Sequence, residues 1–148
     1  MDDKLYLQRS RDVRHLLNGE WISDIVMLLG HGPMRYSEVM AKLRAASEVD
    51  PWTGAERSIQ GRQLTRTLRR LEEIRLVNRN EEPGHFPRRV TYSLTEAARE
   101  LLLSVEPFVA WAERHSDLID LARRMQTDQR GGAPQSLPDG PDDDYLDE

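Results

Sequence analysis

Residues 60–73, QGRQLTRTLRRLEE, decide how this chain is read. On a helical wheel at about 100 degrees per residue, Leu68 and Leu71 fall within about 40 degrees of Leu64. Arg62, Arg66 and Arg69 fall on the opposite side, at roughly 160, 200 and 140 degrees. Gln63 and Arg70 flank that arginine ridge, and Thr67 lies on its edge nearer the leucines. The leucines predict a seam against a core, which would aim the arginines outward. An ordinary solvated helix has the same pattern, with Arg69 and Glu73 pairing across one turn for a few tenths of a kcal/mol. So does a helix shaped for the major groove of double-stranded DNA. Arg pairs bidentately with guanine O6 and N7, and Gln with adenine N6 and N7. Arg69 and Arg70, further along the helix, suit phosphates instead. Which arginine does which is open at this level, and the flanking sequence has to choose between the two kinds of helix.

The charge distribution favours the second. The 148 residues carry a net charge of -5, but the average hides a division. Residues 1–127 hold 20 Lys+Arg against 19 Asp+Glu, whereas residues 128–148 hold one Arg against seven acids. Within residues 57–92, nine arginines face four acids. Basic charge gathered on one surface, not total charge, binds an anionic polymer.

Moving outward, residues 5–18 read as a first helix with Leu5, Val13, Leu16 and Leu17 near one face, broken by Asn18-Gly19. Trp21, Ile22, Ile25, Val26, Leu28 and Leu29 recur at helical spacing until Gly30-His31-Gly32-Pro33. Ser37 is placed to cap a third helix that turns Val39, Met40 and Leu43 inward. Residues 45–57 read as a loop with Trp52 stranded in it. The opening stretch is the fourth helix. Residues 76–79 and 89–94 read as strands around a Pro-Gly-Pro turn, the second with Val90, Tyr92 and Leu94 alternating against polar neighbours. Thr95 is placed to cap a long last helix, which Pro107 should kink or divide. Residues 128–148 are rich in Gly, Pro and acid, with little to bury, so composition predicts a disordered tail beyond a domain of residues 1–127. Such a tail reads first as a solubilising extension. Folding back on the basic helix to compete with DNA is a second reading.

The expected fold is therefore mainly α with a small β-hairpin, an α+β winged helix-turn-helix flanked by terminal helices. In that arrangement one helix crosses the nucleic-acid backbone, the next enters the major groove, and the hairpin reaches neighbouring phosphates or the minor groove. Arg88 and Arg89 stand where such a wing begins its return strand. A charged edge strand protected from aggregation would also carry them, but two basic elements at this spacing favour a nucleic-acid interface.

Several ordered segments then resemble one family. They are Leu17-Asn18-Gly19-Glu20-Trp21; Gly32-Pro33-Met34-Arg35-Tyr36-Ser37-Glu38-Val39; Leu64-Thr65 with Leu68-Arg69 and Leu71-Glu72; Leu76-Val77 with Arg79; and Pro87-Arg88 with Val90, Tyr92-Ser93-Leu94-Thr95-Glu96 and Trp111. In order and spacing these resemble the HxlR-type winged-helix transcription regulators, relatives of the MarR group, over residues 13–115. The resemblance implies a homodimer on a pseudo-palindromic operator, repressing or activating transcription. With the basic helix and wing read above, the candidate DNA contacts are Gln60, Arg62, Gln63, Arg66, Thr67, Arg69, Arg70, Arg88 and Arg89. The resemblance also implies dimerisation through the terminal helices, here Leu5, Leu16, Leu17, Leu103, Phe108, Trp111, Leu118 and Leu121. Packing of the last helix against the first within one chain is the other use for those apolar residues.

Three features depart from the family. Glu20 stands where the family usually has Lys, putting a phosphate contact there in doubt. Gln60 replaces the usual capping Ser, with Ser58 as a possible substitute. The 45–57 loop is longer than typical, and reads foremost as a mobile insertion or else as an arm reaching DNA or ligand through Trp52 and Arg57. Some family members sense oxidants through a cysteine near the N-terminus; this chain has no cysteine, so no disulfide or thiol switch is open to it. A small-molecule effector is the expected signal instead, with Trp21, Tyr36, Phe108 and Trp111 as candidate lining residues.

Other classes find little support. The four histidines are scattered, no metal-ligand spacing occurs, and there is no phosphate loop, GxSxG or dinucleotide fingerprint. Neither an enzyme, a cofactor nor a metal is expected. No run of apolar residues reaches spanning length and nothing resembles a signal peptide, so a soluble cytoplasmic protein is expected. The remaining rival is a winged-helix protein-interaction module that has lost DNA binding.

Overall fold

The computed structural model describes residues 2–19, 21–84 and 86–131. Six helices surround a three-stranded antiparallel sheet: α1 (Asp3–Leu17), α2 (Ile22–Leu29), β1 (Met34–Arg35), α3 (Tyr36–Ala45), α4 (Gly61–Glu73), β2 (Val77–Glu82), β3 (Arg89–Leu94), α5 (Glu96–Arg114) and α6 (Ser116–Gly131). The strand order is β1-β3-β2. The hairpin register runs from Val77 opposite Leu94 to Glu82 opposite Arg89, and β1 adds Met34 opposite Tyr92.

The core sits where α2, α3 and α4 meet the base of the hairpin. Ile22, Ile25, Val26 and Leu29 come from α2, Val39, Met40 and Leu43 from α3, and Leu64, Leu68 and Leu71 from α4. Each set recurs at three or four residues and so forms one stripe. Leu76, Val77, Leu94 and Ala98 close the side next to the sheet, and Ile59 and Trp21 are buried with them. The helix-turn-helix pair is tied polar-side as well: Tyr36 on α3 donates its hydroxyl proton to the Gly61 carbonyl at 2.9 Å and accepts from Thr65 Oγ1 at 3.3 Å.

Local chemistry sets the ends of α4. At its start, the Gln60 N–H donates to Gln63 Oε1 at 3.0 Å, one arm of a capping box, so Gln60 itself is the N-cap and Ser58 is not needed. At its end, Arg75 takes a left-handed φ of 62°. The Leu76 N–H then donates to the Leu71 carbonyl at 2.9 Å, and the Arg75 N–H to the Glu72 carbonyl at 3.0 Å. That is a Schellman closure, with Leu76 buried beside Leu71. It stops the helix and starts the wing.

Several expectations are corrected. Ser37 lies inside α3, whose N-cap is Arg35 without a side-chain cap bond, because β1 pairing carries the chain straight into the helix. β1 itself escaped the sequence, since two residues are too few for a strand pattern. Pro107 does not divide the last helix; α5 runs through it and the break comes at His115. The 45–57 loop carries local structure of its own. Val49 bridges Glu56, and Trp52 is half-buried. Thr95 does cap α5, accepting from the Ala98 N–H at 3.3 Å. α6 runs to Gly131. The phosphate contact doubted at Glu20 and the acidic segment 132–148 lie outside the described residues.

Candidate nucleic-acid interface

The recognition-helix geometry follows from the seam. Leu64, Leu68 and Leu71 are buried at 0%, 1% and 0% exposure, which fixes the helix in rotation. Arg62, Arg66, Arg69 and Arg70 are all exposed. None of the four forms an ion pair with a described carboxylate, and Arg69 does not reach Glu73. A solvated helix would be expected to spend such charges on its own neighbours.

The two uncharged side chains expected beside them are already engaged. Gln63 holds the helix start through its Oε1, and Thr67 donates its hydroxyl to the Gln63 carbonyl at 2.8 Å. Gln63 retains its amide N–H groups as donors, so its reading of adenine would have to come from that side alone. Gln60 is exposed at the helix start.

The wing is less basic than the sequence suggested. Glu81 accepts from Arg79 at 2.7 Å and pairs with Arg88 at 3.6 Å. The Arg79 and Arg88 guanidiniums hold the Glu81 carboxyl below the usual carboxylate range, with the Arg79 hydrogen bond as the main cause, and the same bond raises Arg79 further. Arg89 begins β3 opposite Glu82 and is exposed.

Two residues were overlooked. Arg35 and Ser37, at the entry to α3, share a cleft of about 650 Å³ with Arg88, Arg89 and the rings of Tyr36 and Tyr92. The basic Arg35 in a Met-Arg-Tyr-Ser segment was the available signal. Without β1 its position beside the wing was not legible.

The four candidate pocket residues are not brought together. Trp21 is buried in the core with a left-handed φ of 69°, and Tyr36 is held by Gly61 and Thr65. Phe108 is 74% exposed in a groove of about 1200 Å³ between α1 and α5, and Trp111 packs on His115 with ring centres 4.9 Å apart. The expected dimerisation residues lie outside the core: Leu5, Leu103, Leu118 and Leu121 are exposed, and Leu16 and Leu17 are partly covered. Neither α1 nor α6 buries a residue. Among the described residues no helix is long and apolar enough to cross a membrane, and no cluster of His, Cys, Asp or Glu has the geometry to hold a metal ion.

A helix-turn-helix whose second helix carries an outward arginine ridge, followed by a hairpin and flanked by terminal helices, defines a winged helix-turn-helix protein. Residues 53–120 match the HxlR-like helix-turn-helix family. An HTH-type transcriptional regulator of Methanothermobacter thermautotrophicus is 29% identical over 115 residues, covering 78% of this chain and 77% of that protein. Among solved structures, the reduced form of the redox regulator HypR superposes with a TM-score of 0.62 at 26% identity, over 76% of this chain and 97% of that one. A MarR-family regulator from Enterococcus faecalis V583 gives 0.61 at 25%, over 79% and 91%. Reduced YodB from B. subtilis gives 0.55 at 26%, over 78% and 94%. Over residues 53–120 the chain is thus similar to the HxlR-like helix-turn-helix family, on a fold shared with MarR-type winged-helix regulators.

Proposed function

We propose that the chain binds double-stranded DNA as a homodimer, one half-site per copy, and regulates transcription from a pseudo-palindromic operator in the cytoplasm. The observation that carries this reading is the α4 ridge with its flanking Arg70: four exposed arginines, none paired with a carboxylate among the described residues, on a helix locked in rotation by three buried leucines. Arg62, Arg66 and Arg69 would enter the major groove, Arg70 would hold phosphates, and the wing with Arg88 and Arg89 would reach the flanking backbone.

The dimer reading rests on what the terminal helices leave uncovered. Leu5, Tyr6, Leu7 and Val13 on α1, Phe108 and Trp111 on α5, and Leu118, Leu121 and Met125 on α6 are exposed. Exposed apolar residues on all three terminal helices are what a second copy would cover. The groove between α1 and α5, with Val13, Leu17, Leu101, Val105 and Phe108 along it, would receive the partner's terminal helix. Two copies related by a twofold axis would present their α4 helices to major grooves about 34–36 Å apart. HypR is described as a redox regulator. With no cysteine in this chain, the input is read as a small molecule rather than a thiol reaction.

Fluorescence anisotropy against the DNA upstream of the protein's own gene tests the reading, with light scattering for the mass in solution. Tight binding that falls steeply with salt, by a particle of twice the chain mass, is expected. If no DNA is bound even at low salt, the protein-interaction reading of the fold takes over.

A further inference from the structure

The segment between α3 and α4 is built as a rigid piece with two anchors. At its tip the Asp50 carboxylate accepts from the Trp52 N–H at 2.8 Å, and the Asp50 carbonyl from the Gly54 N–H at 2.7 Å. Asp50 donates its own N–H to the Ala55 carbonyl at 2.9 Å. The stem is closed by the Val49–Glu56 bridge, by the Arg57 N–H on the Glu48 carbonyl at 3.0 Å, and by the Ser47 hydroxyl on the Arg57 carbonyl. The tip rests on α6: the Arg123 guanidinium lies over the Trp52 ring at 5.7 Å, and Gln126 Nε2 reaches the Trp52 carbonyl at 3.5 Å. The stem rests on α2. Arg57 makes two bonds to the Asp24 carboxylate at 3.1 and 3.4 Å and stacks on Trp21 at 4.5 Å. Two residues later Ile59 is buried at 2% exposure, and then Gln60 opens the recognition helix.

α6 therefore has one occupied side and one open side. Arg123 and Gln126 meet the Trp52 tip, whereas Leu118, Leu121 and Met125 are exposed. Residues 118, 121 and 125 share one helical face, and residues 119, 123 and 126 another. A displacement of α6 by whatever packs on its outer face has a short, hydrogen-bonded route to the first turn of α4.

We propose that the 46–59 segment is a strap that transmits the position of α6 to the recognition helix, with Trp52, Arg123 and Gln126 as positioning residues for DNA binding. This rests on the DNA-binding reading above for its consequence, though not for its mechanics. Contacts of this kind act by holding one arrangement of a two-state element, so that DNA affinity and the packing of α6 are linked.

The test uses the full chain. Trp52→Ala and Arg123→Ala should each lower operator affinity by about threefold, the scale of one exposed cation–π contact. The double variant should lose no more than either single one, because the two act on one contact. Trp52→Phe, which keeps a ring under the guanidinium, should restore most of the affinity, and the dimer should persist in all of them. Amide hydrogen exchange supplies a readout independent of DNA: Trp52→Ala should speed exchange over residues 59–64 while leaving residues 25–29 of α2 unchanged. Wild-type exchange over residues 59–64 in that variant overturns the strap whether or not DNA is bound. So do additive losses or unaltered affinity on an operator that the wild type binds. A wild type that binds no DNA but shows the exchange change overturns the DNA reading and leaves the strap standing.

Discussion

Replacing Arg66 by Ala separates a base-reading ridge from a generally sticky one. α4 rises about 1.5 Å per residue, so Arg62 and Arg69 stand roughly 10 Å apart along its axis, the span of about three base pairs. The N-terminal residues of a recognition helix reach base edges, and later ones meet the backbone. Arg66 lies opposite the leucine seam with no carboxylate partner among the described residues to give up. A bidentate contact to guanine contributes about 1–3 kcal/mol of discrimination. Two half-sites double this, so Arg66→Ala should weaken the cognate complex by about 2 kcal/mol at the low end, roughly thirtyfold. Arg88 differs: it is 78% exposed at the side chain and already shares Glu81 with Arg79. Its substitution should cost less than that of Arg66, and should act alike on cognate and scrambled sequences.

Anisotropy titrations on both DNAs, each over a range of salt, resolve the cases. Arg66→Ala should lose affinity mainly on the cognate site. Arg70→Ala should lose it on both, and flatten the dependence of log affinity on log salt by about 0.9 per protomer. Equal losses for Arg66→Ala and Arg88→Ala on both DNAs would refute sequence reading by the ridge.

Three further outcomes follow from particular contacts. Leu68, at 1% exposure, should cost about 2–5 kcal/mol when cut to Ala, read by urea unfolding; a loss below about 1 kcal/mol would mean the seam is not what fixes α4. Glu81 has a folded pKa below its ordinary value, so its contribution is present above the unfolded pKa and fades as pH falls through the folded one. Its carboxyl carbon should titrate by NMR at lower pH than an unpaired glutamate, and Arg79→Ala should move the midpoint up. Arg62→Gln should lower DNA affinity while leaving the melting temperature unchanged or higher; a clear fall in melting temperature would give Arg62 a structural role.

The seam and the wing were legible because their signals are periodic. Leu64, Leu68 and Leu71 repeat along one stripe, and Val90, Tyr92 and Leu94 alternate along one strand. What the sequence hid depends on contacts between distant residues. Met34 and Arg35 become a strand only because Tyr92 and Thr91 lie beside them. Trp52 looked stranded because its partners, Arg123 and Gln126, are more than seventy positions away. Pro107 looked like a helix breaker, yet a helix already nucleated on both sides can absorb one lost bond, and α5 ends instead at His115. The four candidate pocket aromatics are spread over core and terminal helices within one copy, because composition alone does not say which aromatics share a cavity. Gln63 and Thr67 faced the right way on the wheel, but the wheel does not show that the helix's own backbone engages them.

The charges of α4 run against what helix stability favours. The partial positive charge at a helix N-terminus favours acids in the first turn, and the negative C-terminus favours bases in the last. α4 has no acid in its first turn and carries Arg62 there instead, while Glu72 and Glu73 close its C-terminal end beside Arg70. Each unfavourable placement costs about 0.3–1 kcal/mol at low ionic strength. The helix tolerates this because its stability comes from the buried leucines, the Gln63 cap and the Schellman closure, none of which involves an arginine of the ridge. Local sequence choices that oppose stability cluster where function requires them. The N-terminal turn of α4 is the end that would meet DNA, and a guanidinium there gains from phosphates and base edges what it loses to the dipole. The acids at the far end leave the groove-facing turn free of negative charge. The same arrangement on a solvated helix would bring a penalty with no return.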